Sequence, residues 1–335
     1  MANLSDIQKS LTNDAVGDLV DSAEFTGVTS YGGGGAESTP NAYGSVSGYS
    51  SGSNTPAVSN VIDKYPFSAD ANATDVGDLT YTRYGSSGAN SSTHGYAAGG
   101  RRPAYQNAIE KFPFAADGNA SDVADLTLAK AHQAGASSSD NGYASGGLQP
   151  PYVNSIFKFP FATDANSTDI GDLRAVRGYV AGVSSDDNGY VLGGRSPAYQ
   201  TSTDKISFAS DGNATAAGSL HPTAGRAFLN DQGQNSSTYG YLSGGRIPAY
   251  TDDIQKMPFA SESPFALVGN LLGVWGFNNG QSSTDNGYVT GGYSPFGPGW
   301  AAGVTIQKFP FSTDANSTDV GDLTFGGGYK SGNSY

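Results

Sequence analysis

One run of residues returns almost verbatim along this chain, and repetition at such an interval confines a sequence to a short list of folds. Clean copies read Lys64-Tyr-Pro-Phe…Gly77-Asp-Leu, Lys111-Phe-Pro-Phe…Ala124-Asp-Leu and Lys158-Phe-Pro-Phe…Gly171-Asp-Leu, with another from Lys308; degenerate copies begin at Lys205 and Lys256. The lysines are spaced by 47, 47, 47, 51 and 52 residues. A second marker, Gly-Tyr-x-x-Gly-Gly, keeps step and ends at Gly100, Gly147, Gly194, Gly245 and Gly292, after a weaker first copy at Gly48-Tyr-Ser-Ser-Gly-Ser.

Each unit contains four short strand-like pieces separated by turn signals. Around residue 180 these are Gly178 to Ser184, Tyr190 to Gly193, Thr203 to Ser210 and a piece near Leu220. Asn188-Gly189 between the first two predicts a type I′ hairpin. Four antiparallel strands per unit, repeated radially, make the blade of a β-propeller. Six diglycine-type strands and six Lys-Φ-Pro-Phe strands predict an all-β, six-bladed propeller over residues 26–325. Residues 1–25 read as an N-terminal arm carrying a half-copy, Ile7-Gln-Lys9…Val16-Gly-Asp-Leu19, which would close the ring or serve for attachment; residues 326–335 read as a tail. With 20 Tyr and 16 Phe, the chain has the means to pack a core.

The net charge of −13 comes mainly from turn chemistry: only four of the 30 acids are Glu, and Asp is the turn former. No basic run exists, so nucleic-acid binding through phosphate neutralisation is not expected. Met1 to Gln8 lacks the charged-then-apolar pattern of a signal peptide, and no run of 18 apolar residues predicts a membrane span. Cysteine is absent, which removes disulfides and thiolate metal sites.

The unit resembles the kelch repeat. It opens on a basic residue (Arg83, Lys130, Arg177), continues through the diglycine and a Tyr, and reaches an apolar third strand. It departs where kelch units carry a Trp after the third strand, since Phe-Pro-Phe stands there instead. That resemblance covers about 300 residues, implies the propeller and implies little about function. Copper-radical chemistry of the galactose-oxidase kind, which some kelch-type propellers carry, needs a Cys cross-linked to Tyr and is excluded here. The Phe-Pro-Phe-x-x-Asp-x-Asn-x-Thr-Asp-Val-Gly-Asp-Leu wording also resembles repeats in predicted structural proteins of marine tailed bacteriophages, particularly cyanophages. That likeness implies a virion component.

Several motifs carry candidate chemistry. The loops Asp70-Asn72, Asp117-Asn119, Asp164-Asn166 and Asp314-Asn316 place alternate oxygen ligands as a calcium loop begins. No bidentate Glu follows, and the same residues cap tight turns, so turns are expected and calcium is the alternative. The Asn-x-Ser/Thr sequons within these loops follow from the repeated turn. His94, His132 and His221 occupy different repeat positions, which argues against a shared metal site. No paired carboxylates of glycosidase type are evident, and no catalytic residue or cofactor is expected.

The loop after the diglycine is more informative. It reads Arg101-Arg-Pro-Ala-Tyr105, Leu148-Gln-Pro-Pro-Tyr152, Arg195-Ser-Pro-Ala-Tyr199 and Arg246-Ile-Pro-Ala-Tyr250. Strand alternation puts these loops on one face, where Arg101, Tyr105, Tyr152, Arg195, Tyr199, Arg246 and Tyr250 would contact sugars or a partner protein. The alternative is that each Tyr packs between blades. The repeat breaks in the sixth unit, at Phe265 to Phe277 and at Tyr293 to Trp300. Trp275, Phe296 and Trp300 there are either local core or an apolar docking patch.

Together these readings lead to a non-catalytic phage virion protein, a fibre or decoration component acting by protein or glycan binding. Its partners would be other virion proteins and a host-surface glycan, with room for a homo-oligomer. The alternative is a lectin-like propeller independent of any virion.

Overall fold

The computed structural model describes residues 44–335 apart from 55–56, 223–231, 248, 275 and 295–300. The N-terminal half-copy therefore lies outside the described residues, as do Trp275, Phe296 and Trp300. Among the described residues every regular element is a β-strand. They form six four-stranded antiparallel sheets, the blades of a six-bladed β-propeller, and four two-stranded hairpins.

Blades 2 to 6 each use four consecutive pieces of chain. Blade 2 is Ser87–Asn90, His94–Ala98, Ala108–Pro113 and Ser121–Asp125. Blade 3 runs from Ala134–Ser137 to Thr168–Asp172, blade 4 from Ala181–Ser184 to Thr215–Ser219, blade 5 from Gln234–Asn235 to Ala266–Asn270, and blade 6 from Asn279–Ser282 to Thr318–Asp322.

Blade 1 is built differently. Its outer three strands are Ser47–Ser53, Ser59–Pro66 and Thr74–Asp78, and its innermost strand is Ser331–Ser334, paired antiparallel to Ser47–Ser53. This corrects the reading of 326–335 as a tail. The signature of an innermost strand is x-Gly-x-Ser/Asn, as in Ser87-Gly-Ala-Asn90 and Ala181-Gly-Val-Ser184; Ser331-Gly-Asn-Ser334 carries it too. The ring thus closes within a single sheet, so separating first and last blades requires breaking a strand ladder.

The glycine of that signature sets the radius of the axis. A Cβ on Gly88 would lie 2.1 Å from the Gly332 carbonyl oxygen, one on Gly135 2.1 Å from that of Gly88, and one on Gly182 1.9 Å from that of Gly135. Gly280 meets the Gly233 oxygen at 2.4 Å and Gly332 meets that of Gly280 at 2.4 Å. Two residues later the side chain completes a circle of hydrogen bonds. The amides of Asn90, Ser137 and Ser184 donate to Ser137 Oγ, Ser184 Oγ and Asn235 Oδ1 at 2.8, 3.1 and 2.8 Å. Those of Asn235, Ser282 and Ser334 donate to Ser282 Oγ, Ser334 Oγ and Asn90 Oδ1 at 2.7, 3.0 and 3.3 Å. Each innermost strand so satisfies buried backbone donors that its own sheet leaves open.

Moving outward, the side chains grow. Second-strand tyrosines Tyr49, Tyr96, Tyr143, Tyr190, Tyr241 and Tyr288 are buried between blades. Each packs on an aromatic ring of the next blade's Lys-Φ-Pro-Phe segment, as Tyr96 does on Phe161 at 4.8 Å. Burial lifts the Tyr96 and Tyr241 hydroxyls to about 12. In the diglycine, Gly99 and Gly100 take φ of 66° and 102°, which turns the Gly100 amide onto the Lys130 carbonyl of blade 3 at 2.8 Å. The hairpin between the first two strands is not type I′. Its turn is Asp186-Asp187, closed by Ser185 Oγ accepting the Asn188 amide at 3.1 Å, and neither Asn188 nor Gly189 has positive φ. The glycine follows the turn and leaves room for the Phe208 ring, 3.2 Å from where its Cβ would be.

The basic residues that open blades 2, 3 and 4 are buried. Arg83 pairs with Glu110 at 2.8 Å, both 0% exposed, and Arg177 pairs with Asp204 at 2.9 Å. Buried Lys330 has Asp63 as its electrostatic partner, and burial still lowers its pKa to about 8. In blade 3 Phe157 stands where blades 1, 2 and 4 place Asp63, Glu110 and Asp204, and blades 5 and 6 place Gln255 and Gln307. The Lys130 ammonium lies 4.0 Å from the Phe157 ring centre and donates to the Ala144 carbonyl at 3.1 Å. Burial lowers its pKa to about 7.

Two outcomes are expected. Unfolded Lys130 and Lys330 titrate near 10.5, so above about pH 7 the unfolded chain binds more protons and stability rises with pH. Thermal melts should show the melting temperature climbing from pH 7 to 9. Lys130→Met should raise stability at pH 7 by about 1–3 kcal/mol and flatten that climb. Second, Gly135→Ala should cost more than ~3 kcal/mol in urea unfolding or prevent folding. Gly118→Ala, whose Cβ meets nothing within 4 Å, should be near neutral.

Candidate functional site

The links between blades and the loops between second and third strands open on the same face. Tyr84 pairs with Arg101, Ala131 with Leu148, Gly178 with Arg195 and Gly276 with Tyr293, each joining an inter-blade link to the loop behind it. At the axis of this face the chain rolls over in a left-handed conformation three residues before the axial glycine. Gly85, His132, Tyr179, Phe277 and Tyr329 have φ of 67°, 58°, 55°, 61° and 60°. The turn aims each amide at the preceding blade: Gly85 donates to the Tyr329 carbonyl at 2.7 Å, His132 to Gly85 at 2.8 Å, Tyr179 to His132 at 2.9 Å and Tyr329 to Phe277 at 3.0 Å. For bulky side chains this backbone is strained, and such strain concentrates where a surface is used.

The side chains so positioned form a collar over the axis. His132 stacks on Tyr179 at 4.3 Å and 18° and lies 5.0 Å from Tyr329, while Phe277 lies 4.1 Å from Tyr329 and 5.6 Å from Tyr293. Tyr84 joins through His132 at 6.0 Å. Tyr293 donates its hydroxyl to Asn54. Burial, assisted by the charge of Arg101, pushes the His132 imidazole down to about 3, so it is neutral at ordinary pH, and its Nδ1 is buried without a hydrogen-bond partner.

The residues expected from the diglycine loops divide into two groups. Tyr152 reaches the collar edge-on to Tyr179 at 6.4 Å, Tyr250 lies 6.3 Å from Phe277, and Tyr199 packs against the same aromatic cluster. All three are half-buried. Tyr105 instead sits under Arg101, whose guanidinium is 5.2 Å from its ring, in a five-residue hairpin pairing Arg101 with Tyr105. The backbones of Arg195 and Arg246 pair with those of Tyr199 and Tyr250 in equivalent hairpins. Arg101 and Arg195 turn back to donate to the carbonyls of Pro103 and Pro197, each at 3.0 Å. Tyr84, His132, Tyr179, Phe277, Tyr293 and Tyr329 were not anticipated. For His132, Tyr179, Phe277 and Tyr329 the signal was a ring three residues before the axial glycine, visible only once the x-Gly-x-Ser/Asn signature is known; Tyr84 and Tyr293 carry no such mark.

The Asp-x-Asn loops lie at the rim and link blades. Lys64 pairs with Asp117 at 2.8 Å, Lys111 with Asp164 at 2.5 Å, Lys158 with Asp211 at 2.5 Å and Lys205 with Glu262 at 2.7 Å; Lys256 with Asp314 and Lys308 with Asp70 complete the circle. Asn119, Asn166, Asn316 and Asn72 accept amides from Asp78, Asp125, Asn270 and Asp322 of the preceding blade at 2.9–3.0 Å. Among the described residues no three His, Asp or Glu side chains are grouped to hold a metal ion. His94 lies at a blade 2–3 cleft, His132 in the collar, and the His221 amide bonds Gln255 of blade 5.

The sequence matches no protein-family model and no curated protein.

If the loops are inter-blade links, EDTA and added Ca²⁺ should each move the melting temperature by less than about 1 °C. Asn166→Ala, which orphans the Asp125 amide, should cost about 0.5–1.5 kcal/mol. A fall of several degrees in EDTA that Ca²⁺ reverses would give these loops to the ion.

Proposed function

We propose that this chain is a non-catalytic contact module of a tailed-phage virion, a kelch-like propeller in a fibre or decoration component, and that the collar face is the surface it presents to a virion partner or host-surface glycan. The observation that carries the binding reading is the collar. Tyr84, Tyr152, Tyr179, Tyr199, Tyr250 and Tyr329 are half-buried, amphipathic and fixed by neighbouring rings. Tyrosines held in this way offer contact area and hydroxyl donors at little cost in side-chain entropy. The strained backbone beneath them is held by inter-blade hydrogen bonds. The virion reading rests on the likeness of the repeat wording to phage structural proteins. No helix among the described residues is long and apolar enough to cross a membrane.

Mass spectrometry of tailed particles purified from the lysate in which the coding sequence replicates should detect the chain. Replacing Tyr152, Tyr199 and Tyr250 together by Ser should leave the melting temperature within a few degrees. It should weaken attachment of the chain to particles or host cells at least about tenfold. Particles lacking the chain would sink the virion assignment, and unchanged attachment by the triple variant would sink the collar as the contact surface.

A further inference from the structure

The opposite face of the disc carries a second, repeated feature. There the turn after each first strand approaches the end of the next blade's third strand, and a cleft opens between them. Between blades 4 and 5 it measures ≈ 530 Å³, within the range of small-molecule sites. The corresponding cleft between blades 2 and 3 measures ≈ 270 Å³.

Three kinds of wall recur. One is aromatic: half-buried Phe259 stacks on Tyr190 at 5.2 Å and 17°, as Phe161 does on Tyr96 at 4.8 Å and 28°. Another is charged: the Lys205–Glu262 pair, at 2.7 Å, lines the larger cleft, and Lys111, itself paired with Asp164 at 2.5 Å, lines the smaller. The third is a turn rich in hydroxyls and carboxylates, Ser185-Asp186-Asp187 in the larger cleft. Glu262 replaces Asp at this one interface and reaches both Lys205 and the Tyr190 hydroxyl, the latter at 3.1 Å.

The cleft between blades 1 and 2 shows what shape fits. Tyr335 stands there at the position that Ser91 and Ser185 hold in blades 2 and 4. Its ring lies against Phe114 at 4.9 Å and 21°, and Phe114 is 2% exposed where Phe161 and Phe259 remain half-buried. A flat ring with a polar edge, supplied by the chain itself, thus covers the aromatic wall. Where the residue is Ser that wall is open.

We propose that these inter-blade clefts, foremost the one between blades 4 and 5, are subsites for neutral pyranose units of a polysaccharide. A pyranose has an apolar face for Phe259 and a rim of hydroxyls for Ser185, Asp187 and the Lys205–Glu262 pair. An anionic sugar meets Asp186, Asp187 and Glu262 against one lysine already paired, so neutral units fit better. Repetition around the ring converts weak single sites into avidity for a repeating glycan. This inference does not use the collar and stands without it.

The test uses the full chain. Saturation-transfer NMR and calorimetry with oligomers of glucose, galactose and mannose, against polygalacturonate, should show binding of a neutral oligomer only. Ser185→Tyr, which copies Tyr335, should lower the affinity about tenfold with the near-UV dichroism retained. Tyr335→Ser should raise the number of rings bound. Should Ser185→Tyr fail to fold, Ser261→Trp on the exposed lip of the same cleft replaces it. No binding of any neutral oligomer by folded protein, or binding that both cleft variants leave unchanged, overturns the proposal. Binding lost instead in the Tyr152, Tyr199 and Tyr250 variant moves the sugar to the collar and leaves only that reading standing.

Discussion

The close approach of six backbones at the axis governs the rest of the molecule. Only a residue without a Cβ lets one innermost strand reach its neighbour's carbonyl, and Gly88, Gly135, Gly182, Gly280 and Gly332 all stand there. The Ser or Asn two residues on turns that proximity into a circle of directed hydrogen bonds through Asn90, Ser137, Ser184, Asn235, Ser282 and Ser334. Buried polar groups of this kind are costly unless every member is paired, and around a closed ring each amide finds the next side chain. With small residues inside and aromatic rings outside, every blade is a wedge. The inner strands are buried throughout, as in Ala181–Ser184, and the outer strand is largely exposed, as in Thr168–Asp172.

The rim holds a second circle of a different physical kind. Its six lysine–acid pairs are partly exposed, and such pairs contribute little individually. Their value lies in register, since each ties one blade's third strand to the next blade's loop at a fixed height, and the neighbouring Asn adds an uncharged bond. At the blade 4–5 interface the Asn is replaced by Pro264, and the Gly218 backbone faces the carbonyls of Glu262 and Ser263. The longer Glu262 spans to both Lys205 and Tyr190 there. The larger of the two clefts opens at this interface, so the departure from the repeat and the departure in shape coincide.

The two faces divide the chemistry. On the collar face left-handed backbone turns hold His132, Tyr179, Phe277 and Tyr329 in contact across blades, which makes a firm aromatic surface with hydroxyls at its edge. On the other face the rings lie between blades and line recesses. Strain is spent on the first and symmetry on the second, and both follow from wedges that meet at a glycine axis.

The sequence by itself determined the all-β class, the four strands per unit, the six units and the face on which Tyr152, Tyr199 and Tyr250 lie. Those properties are periodic, and periodicity is local information repeated. It also placed the Asp-x-Asn segments in loops between third and fourth strands, but did not show that Asp164 belongs to Lys111 and Asn166 to the Asp125 amide, because a contact 53 or 41 residues away has no local signature. Ring closure was decided by tertiary structure alone: Ser331–Ser334 is four residues of weak strand character whose place is fixed by the vacancy beside Ser47–Ser53 and the Gly280 oxygen at the axis. The collar was decided there too. A Tyr or His in left-handed backbone is disfavoured in an isolated chain, and it persists only where neighbouring blades supply the hydrogen bonds and stacked rings that hold it.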